Sequence, residues 1–530
     1  MAMKQLSGID TSFLRVETGT VHGHVGGVMV LDPSTADGPF TVERLRAFIG
    51  ERLHLLDQFR LIAVEVPFQL DHPYWVEVPE VDLEYHVKAM ALPSPGTDRQ
   101  LAAQCAWIAA RQLDRRRPLW EVYLIEGLAD GRVGIQSKLH HAAFDGAATM
   151  KLLQLLLDME PTPGEIPPPD PDRVVPPPPS PEEMFTRGWM GMLRRPEELM
   201  RSQMRLLQAM AGTGESDSGE VLKRSVDMLN KSTRTAPKTP FNRPITEHRA
   251  WSFGTLPLAA VKRIKNAHGC TVNDVVMALC AGALREFLRC RQELPDKPMV
   301  AVVPMSVHDK SNRPGRNQIS GMFCNLQTHI EDPVERLQAI AGATSRAKEH
   351  SRAIGPTLAL VPVSTRTGGD AQEMGNQIGG MIVELPTNLA EPLGRLLAAR
   401  DTMRPAKEQF KAVPAALMQD LAHFTGPAAA EFTARATSFL RPGFDMQVPF
   451  NVCISNVPAP RTPVYYAGAE VKTMYPLSMI SDGMGMNITL HGYCDALDFG
   501  ILVSPELVPD VWSLIGYLRD DLQELLAVIA

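Results

Sequence analysis

The chain runs to 530 residues, 44% of them apolar and 21% charged, with a formal net charge of −7. That length exceeds what one hydrophobic core usually serves, and the composition is that of an ordinary globular protein, so two domains of roughly 200 residues each are expected. The acidic balance excludes a general nucleic-acid binder, which needs a clustered positive surface to release counterions.

The segment Met1–Asp10 has no basic stretch leading into an apolar one, and no uninterrupted apolar run of about 18 residues occurs. The expected setting is the cytoplasm, peripheral at the inner face of a membrane or at a lipid-droplet surface. The cysteines, Cys105, Cys270, Cys280, Cys290, Cys324, Cys453 and Cys494, are dispersed and never form a C-x-x-C pair. They read as reduced core thiols, not as staples or zinc ligands.

In chain order, Gly26–Leu31 reads as a strand and Val42–Leu56 as a helix whose apolar residues return at helical spacing. Val133–Leu139 alternates like a strand and Ala147–Leu157 looks helical, which makes the segment between them a strand-to-helix turn. This is a mixed α/β pattern, assigned to a first domain over residues 1–160. Prolines then cluster from Pro161 to Pro181. They cannot donate backbone hydrogen bonds or hold a helix, so the stretch is expected to be extended and solvated. Glu182–Met210 has helical spacing and Ala211–Glu220 is rich in glycine and serine, so residues 161–240 form a crossover linker that carries structure as well as slack. The second domain, 241–530, opens with a strand at Arg249–Phe253, a helix over Leu258–His268 entered after Pro257, and an apolar helix over Thr271–Leu288.

That second domain contains a tandem duplication. Val303-Pro-Met-Ser306 followed by Asn317-Gln-Ile-Ser-Gly-Met322 returns as Val361-Pro-Val-Ser364 followed by Asn376-Gln-Ile-Gly-Gly-Met381. Pro333, Arg336 and Leu337 then correspond to Pro392, Arg395 and Leu396. The two copies span about 299–357 and 358–416, each a strand–loop–strand–helix unit. Two copies fall short of the three stacked units a solenoid needs. One copy is expected in the domain's framework, the other as an extension from it.

The strand-to-helix turn carries His140-His141-Ala142-Ala143-Phe144-Asp145-Gly146. A turn can present an imidazole to a cavity while the strand behind it holds the backbone still. An ester-forming base must accept a proton near neutral pH and return it, and imidazole, with a pKa of about 6.5, does both. A metal site would need further ligands, and neither H-E-x-x-H nor a cysteine pair is present; no G-x-S-x-G elbow supports a serine triad. Direct transfer without a covalent intermediate is the simpler chemistry. The plainer alternative is a hydrogen-bonded histidine pair at a buried turn.

Five blocks carry a resemblance: Leu6-Ser-Gly-Ile-Asp-Thr-Ser-Phe13, Arg117-Pro-Leu-Trp-Glu121, the histidine motif, Thr271-Val-Asn-Asp-Val-Val276 and Ile454-Ser-Asn-Val-Pro458. With them the chain resembles the bacterial wax ester synthase/diacylglycerol acyltransferase family, within the CoA-dependent acyltransferases that share H-H-x-x-x-D-G. The resemblance implies an α/β fold of two chloramphenicol acetyltransferase-like domains, mixed sheets flanked by helices, with a tunnel between them. It implies His141 as the base, supported by His140, with Asp145 as a structural brace pairing a cation and Gly146 giving backbone freedom. Asn273 is the candidate donor to the thioester oxyanion, with Asp274 beside it; a helix N-terminus capped by Thr271 explains the same residues. Pro118, Leu119 and Trp120 are candidates to shape the acyl tunnel, or are plain packing. Ser455 and Asn456 are expected to begin a substrate-binding loop on which the family's Pro-Gly-Pro is replaced by Pro458-Ala459-Pro460. Arg115-Arg116-Arg117, Lys262, Arg263 and Lys265 could meet the phosphates of CoA, or form solvated charged faces.

The expected reaction is transfer of a long-chain acyl group from acyl-CoA, a substrate and not a cofactor, to diacylglycerol, with fatty alcohol as the alternative acceptor. No metal and no nucleic acid are expected. A condensation-type enzyme fed by a carrier protein is a second reading, disfavoured because no carrier or adenylation domain adjoins. A lipid-binding or lipid-droplet scaffold without catalysis is a third.

Overall fold

A computed structural model describes residues 3–6, 8–144, 152–162, 164–191, 236–306, 319–342, 357–364, 378–385 and 450–529. Two six-stranded mixed sheets form its framework. The first has β5 (Val87–Ala91) parallel to β6 (Trp120–Glu126), which runs antiparallel to β7 (Val133–His140). β7 is followed across the sheet by β2 (His24–Asp32), β15 (Ala469–Leu477) and β14 (Tyr465–Tyr466). The second places β10 (Ile319–Asn325), β9 (Val300–Ser306), β13 (Val452–Pro458), β16 (Met486–Gly492), β17 (Ala496–Val503) and β8 (Ala250–Pro257) side by side. The chain therefore returns to the first sheet through residues 465–477, long after the second sheet has begun. A small sheet of β1 (Lys4–Gln5), β4 (Tyr74–Glu77) and β3 (Leu61–Val64) flanks the first.

Helices form where the sequence supplies caps. Helix α4 (Asp98–Ala109) starts from a capping box in which Thr97 and Gln100 exchange hydrogen bonds. In the second half, α5 (Leu258–Ala267) leads into α6 (Val272–Cys290), whose first turn is closed by Thr271 and Asp274 in the same reciprocal way. Helix α6 is buried over most of its length and packs along the C-terminal α7 (Val511–Val528). Other helices include α1 (Gly8–Arg15), α2 (Val42–Arg52) and the single turn α3 (Leu83–His86). No single helix among the described residues is long and apolar enough to cross a membrane.

One core spans α4, the second sheet and helices α5, α6 and α7; another lies on the opposite face of the first sheet, around Phe59, Trp120 and Phe144. Asp498 on β17 ties the two sheets together. It accepts from the Met474 N–H of β15 at 2.8 Å and from Thr255 Oγ1 of β8 at 2.7 Å. Burial pushes its carboxyl up to about 6, against those two hydrogen bonds.

The proline-rich crossover is largely exposed and lacks regular structure through residue 180, yet it is latched rather than loose. Arg173 grips both oxygens of the buried Glu77 at 2.7 and 2.9 Å, and the ring of His54 meets Pro167 O at 2.7 Å. Ser180 and Glu183 form a capping box that opens a helix over 181–191, anchored by the buried Met184. Of the expected helices over Glu182–Met210 and Ala147–Leu157, residues 192–210 and 147–151 lie outside the described residues, as does the Ala211–Glu220 stretch.

Both copies of the duplicated unit contribute a hairpin of the same register. Val303 opposes Met322 in β9–β10, and Val361 opposes Met381 in β11 (Thr357–Ser364) and β12 (Ile378–Leu385). The first hairpin joins the second sheet, with Ala301 and Val302 alongside Val452 and Cys453. The second forms a two-stranded sheet of its own. The cysteines depart from the expectation of core thiols. Cys105 and Cys280 are buried, whereas Cys290, at the end of α6, is exposed, with its thiol 3.1 Å from Glu286.

Candidate active site

Strand β7 ends on His140, and the chain turns at once. The carbonyl of His140 accepts the N–H groups of both Ala143 (2.9 Å) and Phe144 (3.1 Å), while its own N–H goes to Leu119 O at 3.0 Å. The next residue, His141, donates its N–H to Gly23 O at 2.8 Å, just before β2 begins. Its half-buried ring stacks on Phe13 at the end of α1, with centroids 4.2 Å apart and planes 12° from parallel. Ala142 packs with Leu6, Leu14, Leu113 and Leu119. The N-terminal block, the Pro-Leu-Trp block and the histidine motif thus meet at one point. Asp145 and Gly146 lie outside the described residues.

His140 points the other way, into the protein, and is 1% exposed. Its Nδ1 accepts the N–H of Ala142 at 3.1 Å, which leaves the ring hydrogen on Nε2. That Nε2 lies 3.2 Å from Glu17 Oε1, close but off the line of a straight hydrogen bond. Glu17 was not singled out from the sequence. A signal for it exists in retrospect: an acid six residues before Gly23 in the run Glu17…His22-Gly23-His24, directly ahead of a strand. Burial raises its pKa, but contacts with His140, Arg115 and the Gly23 N–H outweigh that and hold the carboxyl well below the usual carboxylate range. His24, whose ring lies edge-on to His140 at 6.0 Å, is kept neutral chiefly by burial. Lys138, two residues upstream and 3% exposed, is 3.6 Å from Glu121 Oε2; burial brings its pKa down to about 8.

Leu119 and Trp120 are fully buried. The indole is sandwiched between Phe59 (4.1 Å) and His86 (4.3 Å), and its N–H goes to Phe59 O at 3.0 Å. Both faces of the ring are covered by protein, the environment of a packing residue; Pro118 is buried beside it.

On the other half, Asn273 is exposed in the first turn of α6, and its Oδ1 accepts from Asn456 Nδ2 at 2.8 Å. Two of the singled-out residues, 183 positions apart, are therefore in direct contact. The bond leaves the Asn273 amide oriented by its neighbour. Asp274 is buried and accepts the Thr271 N–H (2.9 Å) and hydroxyl (2.7 Å) through Oδ2, so the capping reading of this pair is realised in the structure. Ser455 and Asn456 do not begin a loop. They lie within β13, which pairs in parallel with β16 through Pro458, and Ala459 takes no positive φ. Alanine therefore costs the backbone nothing there.

The arginine run is already committed to carboxylates: Arg115 to Glu17 at 2.8 Å, Arg116 to Asp114 at 3.0 Å and Arg117 to Asp82 at 3.0 Å. Lys262 and Arg263 stay exposed on α5, and Lys265 reaches the neighbouring Asn266 side chain at 3.3 Å. With Asn273 in the donor role that the resemblance implies, its replacement by Ala is expected to lower kcat about tenfold with little change in KM for acyl-CoA, less than the 10²–10³ of an enclosed donor because the side chain faces solvent. Steady-state kinetics at varied acyl-CoA would check it; a raised KM at constant kcat would speak against a transition-state role.

Residues 6–276 match the family model described as wax ester synthase/diacylglycerol acyltransferase catalytic domain. Residues 316–372 and 374–526 match that of the WS/DGAT C-terminal domain, the break falling inside the second copy of the duplicated unit. The chain is 34% identical over 535 residues to a protein of Mycobacterium tuberculosis (strain CDC 1551 / Oshkosh) named a putative diacylglycerol O-acyltransferase, with 99% of this chain and 90% of the relative covered. A protein of strain ATCC 25618 / H37Rv, named a probable diacylglycerol O-acyltransferase, is 31% identical over 525 residues, 97% of each chain. Among solved structures, the wax ester synthase/diacylglycerol acyltransferase from Marinobacter aquaeolei VT8 is similar at a TM-score of 0.62 and 25% identity, with 99% of both chains covered. This chain belongs to the wax ester synthase/diacylglycerol acyltransferase family.

Proposed function

We propose that the protein transfers a long-chain acyl group from acyl-CoA to the free hydroxyl of diacylglycerol, forming triacylglycerol, with His141 as general base. The observation that carries this reading is the presentation of His141: backbone fixed to Gly23, ring held flat on Phe13, at the end of a buried strand. In the proposed step His141 takes the hydroxyl proton as the acceptor oxygen bonds to the thioester carbonyl carbon. The tetrahedral intermediate collapses with cleavage of the C–S bond, and the same imidazole returns the proton to the CoA thiolate. Negative charge on the carbonyl oxygen would be met by an amide donor, for which Asn273, oriented by Asn456, is the candidate. Asp145 would brace the turn. The step needs no cofactor and no metal, since acyl-CoA is itself a substrate.

Work at the inner membrane face or a lipid-droplet surface is supported by an exposed aromatic cluster. Phe68 is 83% exposed and takes a left-handed φ of 56°, a conformation that costs a non-glycine residue and holds the ring outward. Phe185 meets it edge-on at 6.1 Å, and Trp189 and Met190 continue the exposed face of the 181–191 helix. The test is a product assay in which the purified chain receives labelled acyl-CoA with diacylglycerol and fatty alcohol, singly and in competition. Triacylglycerol is the expected main product; wax ester alone would overturn the acceptor, and ester from neither would overturn the activity.

A further inference from the structure

We infer that Glu17 is a positioning residue for His141, acting through Gly23; this rests on the reading of His141 as the base. The Glu17 side chain is 4% exposed and uses both oxygens. Oε1 accepts the Gly23 N–H at 2.9 Å and lies 3.2 Å from His140 Nε2 and 3.6 Å from His24 Nε2. Oε2 receives Arg115 at 2.8 and 3.2 Å, and Arg115 in turn donates to Leu14 O, next to Phe13. One carboxylate therefore braces the segment carrying Phe13, the residue before β2 and the first histidine of the motif.

Gly23 is the link to the base. It is held at its N–H by Glu17 and at its carbonyl by the His141 N–H, at 2.9 and 2.8 Å. It also has no room to drift toward the motif: a Cβ there would stand 3.1 Å from His140 Cε1 and Nε2 and 3.5 Å from Phe13 O. Displacing Gly23 must therefore displace the His141 backbone or open a gap beside it. Phe13 and Gly23, which fix the His141 ring and backbone, answer to the same buried anion. Burying a carboxylate is costly unless it is paired and hydrogen-bonded, and here the compensation falls on groups that hold the base. A displacement of about 1 Å at such a base can cost 10²-fold in rate.

The test compares Glu17→Ala, Glu17→Met and Glu17→Gln with His141→Ala, measuring kcat, KM for acyl-CoA and the melting temperature of each. Alanine and methionine cannot accept from Gly23; glutamine can, through its amide oxygen. Glu17→Ala is expected to lose about 10–100-fold in kcat with KM within about twofold, and Glu17→Gln to lose less than Ala does. Should the alanine variant not fold, methionine, which fills the space without accepting, takes its place in the comparison. A folded alanine or methionine variant with wild-type kcat would overturn the inference, as would a Gln variant as damaged as they are. A loss confined to KM would overturn it too. Activity retained in His141→Ala would instead overturn the assignment of the base, so the two failures are distinguishable.

Discussion

His141→Ala is expected to lower kcat by about 10²- to 10⁴-fold, the contribution of a positioned general base. The KM for acyl-CoA should move little. The imidazole meets the acceptor hydroxyl rather than the CoA moiety in the proposed step; the His141 backbone reaches Gly23 O and its ring lies on Phe13. The first of these survives truncation, because the alanine N–H still reaches Gly23. The turn should survive as well, since its closing bonds belong to the carbonyl of His140 and the N–H groups of Ala143 and Phe144. A normal melting temperature with lost turnover is therefore the expected combination, read by radiolabelled ester formation and by thiol release from CoA. Wild-type turnover would sink the assignment. His140 gives the control: its ring is buried and accepts from Ala142, so its truncation should act on stability as well as on rate.

The contrast between the two histidines shows how far the sequence can be read. The strand ending at residue 140 and the turn after it follow from the alternation of Val133–Leu139, and the motif's chemistry from residue type and spacing. The turn that begins as β7 ends separates the two, leaving His140 sealed in at the end of the strand and His141 presented on the turn. The cap at Thr271 was equally legible, because a helix cap is a local pattern. Long-range pairing was not. Nothing local in Tyr465–Leu477 says that β15 leaves the second sheet's half of the chain to pair with β2, and nothing in Arg115–Arg117 says that Arg115 and Arg117 are matched by carboxylates from distant segments. The resemblance implies a loop beginning at Ser455-Asn456, yet parallel pairing with β16 keeps both in a strand. Glu17 is the same lesson at the site: its importance lies in what it touches, and those partners come from three separate segments.

Arg336→Ala is expected to destabilise the protein by about 3–5 kcal/mol, the cost of leaving one member of a buried ion pair alone. Arg336 is 2% exposed; it donates to Ile330 O at 3.1 Å and Glu331 O at 2.9 Å and pairs with Asp521 of α7. Burial pushes the Asp521 carboxyl up to about 7 even with the guanidinium pulling it down, and Glu524 adds to the rise. Without Arg336 that carboxyl would face the core with less compensation. The site is shaped for the pair: Gly282 of α6 leaves the space, since a Cβ there would stand 2.2 Å from Asp521 Oδ1 and 2.7 Å from Arg336 Nη2. Replacing both partners by apolar residues, as Arg336→Met with Asp521→Leu, should recover most of the loss, because desolvation of two charges is removed along with their attraction. Urea unfolding of the single and double variants decides it. Arg336 belongs to the first copy of the duplicated unit, with Arg395 as its counterpart in the second. A large loss from Arg336 alone would mean that the first copy, seated against α6 and α7, holds the second half together even though its counterpart carries the same arginine. A loss below about 1 kcal/mol, the range of exposed pairs, would mean that the first copy is not what anchors the α6–α7 layer.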